Sequence, residues 1–351
     1  MKIIFIDPKC PKPYDPEVLL TKGLGGTEAT VIRVAEALSE NHVVCVFQHN
    51  RNEQLVVSRN LKFLPVSKIT EEIEDAQHII FIQKAQFIQQ VAPRTSGRLW
   101  LWLHNFLGDE VPFFWKDHLR YRLGIICVSR THALHTREHI KKLPAYWLSL
   151  GMLERGGLNY LYNPIDTVLA PDENTLRDKY KLVFFSSPYK GIEDVIDLFI
   201  KVHSRNNNMR LYVADPGYVK NFDSNRLNHP GIIKLGSLPQ REILKHVREA
   251  LCVFYPQKKR PETFGLVYAE ANAVGTPVLA HDFGSAREVL VDENPPLNAF
   301  DENTVINVLE DWIKNGGPVV RANDKFRMSE VLASWECFLR SPDLFSQNNK
   351  L

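Results

Sequence analysis

The sequence predicts an α/β protein made of two successive units of similar length. Short apolar runs alternate with helical patterns along most of the chain, as expected for layers around largely parallel sheets. The alternation stops once, near Tyr162-Asn163-Pro164-Ile165-Asp166, and resumes after a polar stretch that ends at Lys181. The 351 residues suffice for two cores of ordinary size.

Lys2–Asp7 reads as a short buried strand, followed by a glycine-bearing loop and a helix from about Thr27 to Ser39. Strands are expected at Val43–Gln48 and, with a weaker signal, near Leu61–Pro65. Further strands follow at His78–Ile82, Arg98–His104 and Gly124–Ser129. The second half reads as strand Leu182–Phe185, helix Gly191–Asn206, and strands Met209–Ala214 and Ile232–Leu235. Helix Gln240–Glu249 and strands Leu251–Tyr255 and Pro277–Ala280 complete it. A last helical segment, from about Asp324 to Arg340, is placed to return across the junction. The expectation is two Rossmann-like domains facing a central cleft, at residues 1–163 and 164–323, with residues 324–351 packing back toward the first. In such sheets ligands gather beyond the carboxyl ends of the strands.

Composition narrows the classes. Apolar content of 44% and charged content of 24% are those of a globular protein. A net charge of +2 supplies no basic field, so nucleic acid is not an expected partner. The five cysteines are scattered, without metal-type spacing, and Cys45, Cys127 and Cys252 fall in apolar runs. That usage favours a reducing compartment over a disulfide framework. Met1–Asp7 is apolar over too few residues for a secretion signal, and no apolar stretch approaches the ~20 residues that span a bilayer. A cytoplasmic location is expected, with any membrane contact peripheral. The stretch from Pro112-Phe113-Phe114-Trp115-Lys116 to Arg122 mixes aromatic and basic residues and could supply such contact at the inner membrane face. The same pattern also describes core aromatics beside a solvated charged face.

The most informative segment runs from Arg260 to Val278. Glu262 closes a polar loop, whereas Glu270 lies among Leu266, Val267, Ala269, Ala271, Ala273 and Val274 in a buried-helix pattern. A carboxylate in such surroundings is costly unless something pairs with it. Gly265, at the loop-to-helix junction, lets a ligand approach backbone N–H groups at a helix N-terminus, which suits an anion. Together these features predict a pocket for a negatively charged ligand that bears hydroxyls. Lys190, just before Gly191 and a helix, adds a cation beside a second helix N-terminus. By itself it would read as an ordinary surface lysine. The loop Gly23-Leu24-Gly25-Gly26-Thr27-Glu28 follows the first strand, but Phe47-Gln48-His49 offers no carboxylate for a ribose, which argues against a nicotinamide dinucleotide. His104 follows the apolar run Leu99–Leu103; alone it reads equally as a structural residue bonded to backbone.

With these residues in view, the chain resembles the retaining nucleotide-sugar glycosyltransferases of family 4, which have the GT-B two-domain architecture. Glu262 and Glu270 have that family's E-x7-E form. Glu262-Thr263-Phe264-Gly265-Leu266 and Glu270-Ala271-Asn272-Ala273-Val274-Gly275-Thr276-Pro277-Val278 also follow its consensus. Gly25-Gly26, His104, Val128-Ser129, Asn163-Pro164-Ile165-Asp166, Lys190-Gly191 and Trp335 occur in the same order. The resemblance covers nearly the whole chain and is specific mainly from Ser186 to Glu288.

The resemblance implies a role for each residue. Glu270 would accept hydrogen bonds from the donor ribose, and Glu262 would face the transferred sugar. Thr263, Phe264, Gly265, Leu266 and Val267 would form the loop that engages sugar and phosphates. Lys190 would clamp the diphosphate, with Gly25 and Gly26 near it and the acceptor. His104 would sit beside the reacting sugar, and the loop at Leu238 near the base. One departure stands out: many relatives carry an arginine shortly before the lysine, where this chain has Ser186 and Ser187. Serine hydroxyls and backbone amides would then share the diphosphate with Lys190.

The implied activity is sugar transfer from a nucleoside-diphosphate sugar, with UDP favoured, to a hydroxyl of a glycan or lipid-linked acceptor. No metal site and no cofactor are expected. A sugar-nucleotide epimerase on the same scaffold, or a non-catalytic binder of sugar nucleotides or polysaccharide, are the competing expectations. The sequence leaves the sugar, the acceptor, the linkage and the oligomeric state undetermined.

Overall fold

A computed structural model describes residues 1–108, 115–142, 157–214, 223–343 and 345. The aromatic run Pro112-Phe113-Phe114 and the polar tail Ser346–Lys350 lie outside the described residues. Contacts divide the chain into two compact units: residues 1–15, 27–164 and 328–351 form one, and residues 16–26 with 165–327 form the other.

The first unit is built on an eight-stranded sheet. Its strands are β1 (Lys2–Asp7), β2 (Val43–Gln48), β3 (Leu55–Val56), β4 (Leu61–Pro65), β5 (His78–Ile82), β6 (Arg98–Trp102), β7 (Gly124–Cys127) and β8 (Leu158–Tyr160). They run in the order β3-β4-β2-β1-β5-β6-β7-β8. Every pairing is parallel except that of the edge strand β3 with β4. Ile3, Ile4, Phe5 and Ile6 are fully buried, because a parallel sheet covered on both faces requires near-continuous apolar strands. The C-terminal helix Met328–Arg340 belongs to this unit and packs Trp335 edge-on against Trp102, with ring centroids 4.9 Å apart. His42 Nε2 meets Glu336 at 2.9 Å, and His78 Nε2 meets the Leu339 carbonyl at 2.9 Å, which fixes that helix in register.

The second unit is a five-stranded parallel sheet. Its strands are β9 (Asp178–Phe185), β10 (Arg210–Ala214), β11 (Ile232–Gly236), β12 (Ala250–Tyr255) and β13 (Val278–Ala280), in the order β11-β10-β9-β12-β13. This strand order brings the carboxyl ends of β9 and β12 side by side. The segment Pro16–Gly26, which carries a short helix at Pro16–Thr21 and the glycine loop, clusters with this unit although it is encoded near the N-terminus.

The expected strands are present with shifted ends. β6 stops at Trp102 and β7 at Cys127, so His104 and Ser129 lie in the turns that follow. β9 begins at Asp178, four residues before its apolar part. The C-terminal helix begins at Met328, preceded by a single 3-10 turn at Asp324–Phe326. Among the described residues no helix is long and apolar enough to cross a membrane. All five cysteines are free, and only Cys337 is exposed.

Candidate functional site

The polar groups of the second unit converge at the carboxyl ends of β9 and β12. Beyond β9, Ser186 and Ser187 lead into a 3-10 turn at Pro188–Lys190 with proline at its start, where a missing N–H costs nothing. Gly191 then takes φ +87°, and a Cβ there would come within 2.8 Å of the Gln257 Cβ. Only glycine makes that turn without strain. The turn delivers Lys190 toward the loop after β12.

Glu262, in that loop, is 3% exposed. Its Oε2 accepts from Lys190 Nζ at 2.6 Å and its Oε1 from the Tyr255 hydroxyl at 2.7 Å. The Tyr255 hydroxyl also lies 3.2 Å from Ser186 Oγ. Burial alone would depress the Lys190 ammonium, but the carboxylate of Glu262 more than offsets it and raises the pKa. Lys190 therefore remains a cation. Burial, followed by the charge of Glu262, pushes the Tyr255 hydroxyl well above its usual range, so it stays a donor to the carboxylate. The Ser187 hydroxyl is buried and has no hydrogen-bond partner among the described residues.

Gly265 has φ +82° and caps helix Leu266–Ala273; a Cβ there would sit 2.5 Å from the Tyr268 ring. The Phe264–Gly265 turn is pinned by Ser285, whose Oγ donates to the Phe264 carbonyl at 2.7 Å and whose N–H donates to the Glu262 carbonyl at 3.0 Å. Gly284 permits this approach, since its Cβ would lie 2.7 Å from the Glu262 carbonyl oxygen. The Phe264 side chain is core, packed edge-on against Phe326, so its contribution to a ligand is limited to its backbone. Thr263 and Leu266 are half-buried, whereas Val267 is buried.

Glu270 is 4% exposed on the same helix and is engaged by the side-chain amide of Gln240. Gln240 lies two residues after the half-buried Leu238, so the Leu238 loop and Glu270 belong to one cluster. Gly26 of the N-terminal glycine loop is counted in this unit, and its Cβ would lie 3.1 Å from Leu266 Cδ1. The structure thus joins Ser186 to Glu262 through Tyr255, Lys190 to Glu262 directly, and Glu270 to Gln240 beside the Leu238 loop. Sequence reasoning missed Tyr255, Gln240, Gly284 and Ser285. Of these, only the Gly284-Ser285 pair just beyond a strand carried a local signal.

His104 belongs to the first unit, two residues beyond β6. It is 6% exposed, its ring centroid lies 4.6 Å from that of Trp102, and its N–H donates to Gln83 Oε1 at 3.1 Å. Burial, with a smaller contribution from His132, pushes its pKa down to about 3. The imidazole is therefore neutral at ordinary pH.

Residues 170–325 match the family described as glycosyl transferases group 1. That segment contains Ser186, Lys190, Glu262 and Glu270. No curated protein matches the chain. Among solved structures, the chain is similar to AviGT4, a glycosyltransferase involved in avilamycin A biosynthesis, with TM-score 0.64 and 15% identity. That likeness covers 99% of this chain and 98% of the other. Sucrose-phosphate synthase from Thermosynechococcus elongatus gives TM-score 0.64, 15% identity and the same two coverages. The pneumococcal O-GlcNAc transferase GtfA, solved with UDP and GlcNAc, gives TM-score 0.54 and 13% identity over 79% of this chain and 59% of that one. The fold is that of the GT-B glycosyltransferases. The matched family supports sugar transfer as the activity.

Proposed function

We propose that this chain is a retaining glycosyltransferase of family 4 that moves a sugar from a nucleoside-diphosphate donor to a hydroxyl of a glycan or lipid-linked acceptor. The observation that carries the reading is the buried network of Ser186, Tyr255, Glu262 and Lys190 at the ends of two adjacent strands. It keeps a cation and a carboxylate together, each able to exchange its partner for a ligand. The diphosphate would draw Lys190 from Glu262 and take hydrogen bonds from the Ser187 hydroxyl and backbone N–H groups. Ser186 and Ser187 stand where many related enzymes carry an arginine, and the Ser187 hydroxyl has no hydrogen-bond partner among the described residues. Glu262, still bonded to Tyr255, would then accept hydroxyls of the sugar. Glu270 would exchange Gln240 for the ribose hydroxyls, with Leu238 near the base.

In the reaction the bond from the anomeric carbon to the phosphate oxygen breaks and its electron pair leaves with the diphosphate. The acceptor oxygen bonds to the same face of the anomeric carbon, and its proton passes to the departing phosphate. Fixed donors that stabilise developing negative charge usually supply the largest catalytic contribution, and Lys190 with the helix N-termini provides them without a metal ion. The neutral His104 would hold a sugar hydroxyl. UDP is the favoured carrier; the pneumococcal relative solved with UDP supports that choice. The unpaired cysteines suit a cytoplasmic location.

Thermal melts with UDP-, GDP-, ADP- and dTDP-linked hexoses test the reading, because a donor that binds only the folded chain raises Tm by mass action. A true donor is expected to raise Tm, and Glu270→Ala is expected to weaken its binding about tenfold or more. Unchanged affinity in Glu270→Ala would remove the ribose assignment. Epimerised donor without transfer to a glycan extract would replace transfer with isomerisation.

A further inference from the structure

Gln83, the residue after β5, holds φ +62° and is one of two non-glycine residues with positive φ among those described. A side chain resists that left-handed region, and such outliers persist where their surroundings fix them, often at functional sites. Glycine would make the same turn without strain, so the reason for glutamine must lie in its amide group. The Gln83 N–H donates to the Trp102 carbonyl at 2.9 Å, extending the pairing of β5 with β6 by one residue. Its Oε1 then accepts from two consecutive backbone donors beyond β6, His104 N–H at 3.1 Å and Asn105 N–H at 3.3 Å.

Asn105 is also held by His132, on helix Arg130–Lys141. The Val128 N–H donates to His132 Nδ1 at 3.4 Å, so the hydrogen resides on Nε2, which donates to the Asn105 carbonyl at 3.1 Å. Burial pushes His132 down to about 3, so this tautomer persists at ordinary pH. Ser129 Oγ accepts the His132 N–H at 3.0 Å and anchors the start of the helix.

We infer that Gln83 is a positioning residue for sugar transfer: together with His132 it clamps the His104–Asn105 backbone and so sets the place of the His104 imidazole. The inference rests on the assignment of His104 beside the reacting sugar. Three variants separate turn, acceptor and chemistry. Gln83→Gly relieves the backbone but removes the acceptor, Gln83→Ala removes the acceptor alone, and Gln83→Glu keeps an acceptor oxygen. Hydrogen exchange of the His104 and Asn105 amides is measured alongside cleavage of whichever UDP-, GDP-, ADP- or dTDP-linked hexose the native chain uses.

Gln83→Gly is expected to speed exchange at those two amides at least tenfold and to lower kcat about tenfold, with donor KM unchanged and Tm within about 3 °C of native. Gln83→Glu should restore slow exchange and most of kcat. Unchanged exchange in Gln83→Ala and Gln83→Gly would overturn the clamp. Faster exchange with native kcat, while His104→Ala loses activity, would overturn the positioning role and leave the transferase reading intact. If His104→Ala itself keeps native kcat, or if no donor is cleaved, the assignment on which the inference rests has failed.

Discussion

Buried titratable groups of the two units are held in opposite ways. In the second unit Lys190 and Glu262 are held as a charged pair, and burial is offset by mutual attraction and by the Tyr255 hydroxyl. In the first unit His78, His104, His118 and His132 are buried, and their pKa values fall to about 4, 3, 4 and 3. These rings are held neutral. A charged pair can exchange its partner for an ionic ligand, whereas a neutral buried ring can only position and hydrogen-bond. The charged pair thus lies in the second unit and the neutral rings in the first.

The largest expected effect is on acid stability. Each of the four histidines titrates near 6.5 in the unfolded chain and at 3 to 4 when folded. Between those values the unfolded state binds more protons, so stability present above pH 6.5 is lost as pH falls toward the folded values. At about pH 4.5 this amounts to on the order of 2 kcal/mol per histidine, and several together rival the whole stability of a domain. Asp7 and Glu28, raised by burial, act in the opposite sense. They are two carboxyls against four histidines. Hydrogen exchange at pH 7 and pH 4.5 should show the first unit opening well before the second. Equal loss in both units would remove the distinction.

A smaller but more specific effect is expected at the charged pair. Lys190→Met leaves the Glu262 carboxylate buried without its cation. Stability should fall by about 2 kcal/mol, less than for a fully buried pair because 27% of the Lys190 side chain is exposed. Cleavage of the donor should fall roughly 10²- to 10³-fold, the loss typical of a donor to developing negative charge. Paired measurements of Tm and kcat decide the matter. A large drop in Tm with native kcat would make the pair structural only.

How far the sequence reveals this arrangement depends on the range of the interaction. The parallel strands were legible because their apolar runs are continuous, as in Ile3–Ile6 and Leu251–Tyr255. The start of β9 was hidden because Asp178-Lys179-Tyr180-Lys181 reads as loop. In the fold Lys181 is buried, its ammonium held by Glu249 at 2.5 Å and by the Tyr212 ring. Helix Glu302–Asn315 carries a local sign, since Asp301 caps it, accepting from the Thr304 N–H at 3.3 Å. Glu262 and Glu270 stand out in the sequence because a glycine junction and an apolar helix pattern lie beside them, whereas Lys190 reads locally as an ordinary surface lysine. Tyr255 and Gln240 depend on which strands and loops become neighbours, and no local spacing encodes that.

The smallest expected effect falls on Ser187, and it separates affinity from stability. Its hydroxyl is buried with no hydrogen-bond partner among the described residues, so Ser187→Ala removes an unsatisfied group. Tm should hold or rise slightly, because burying an unpaired hydroxyl is itself unfavourable. If that hydroxyl meets the diphosphate, donor affinity should fall by a factor of roughly ten to a hundred, the worth of one hydrogen bond to a charged group. Titration with the free nucleoside diphosphate isolates this contact from any to the sugar. Native affinity in Ser187→Ala would leave the diphosphate to Lys190 and the backbone alone.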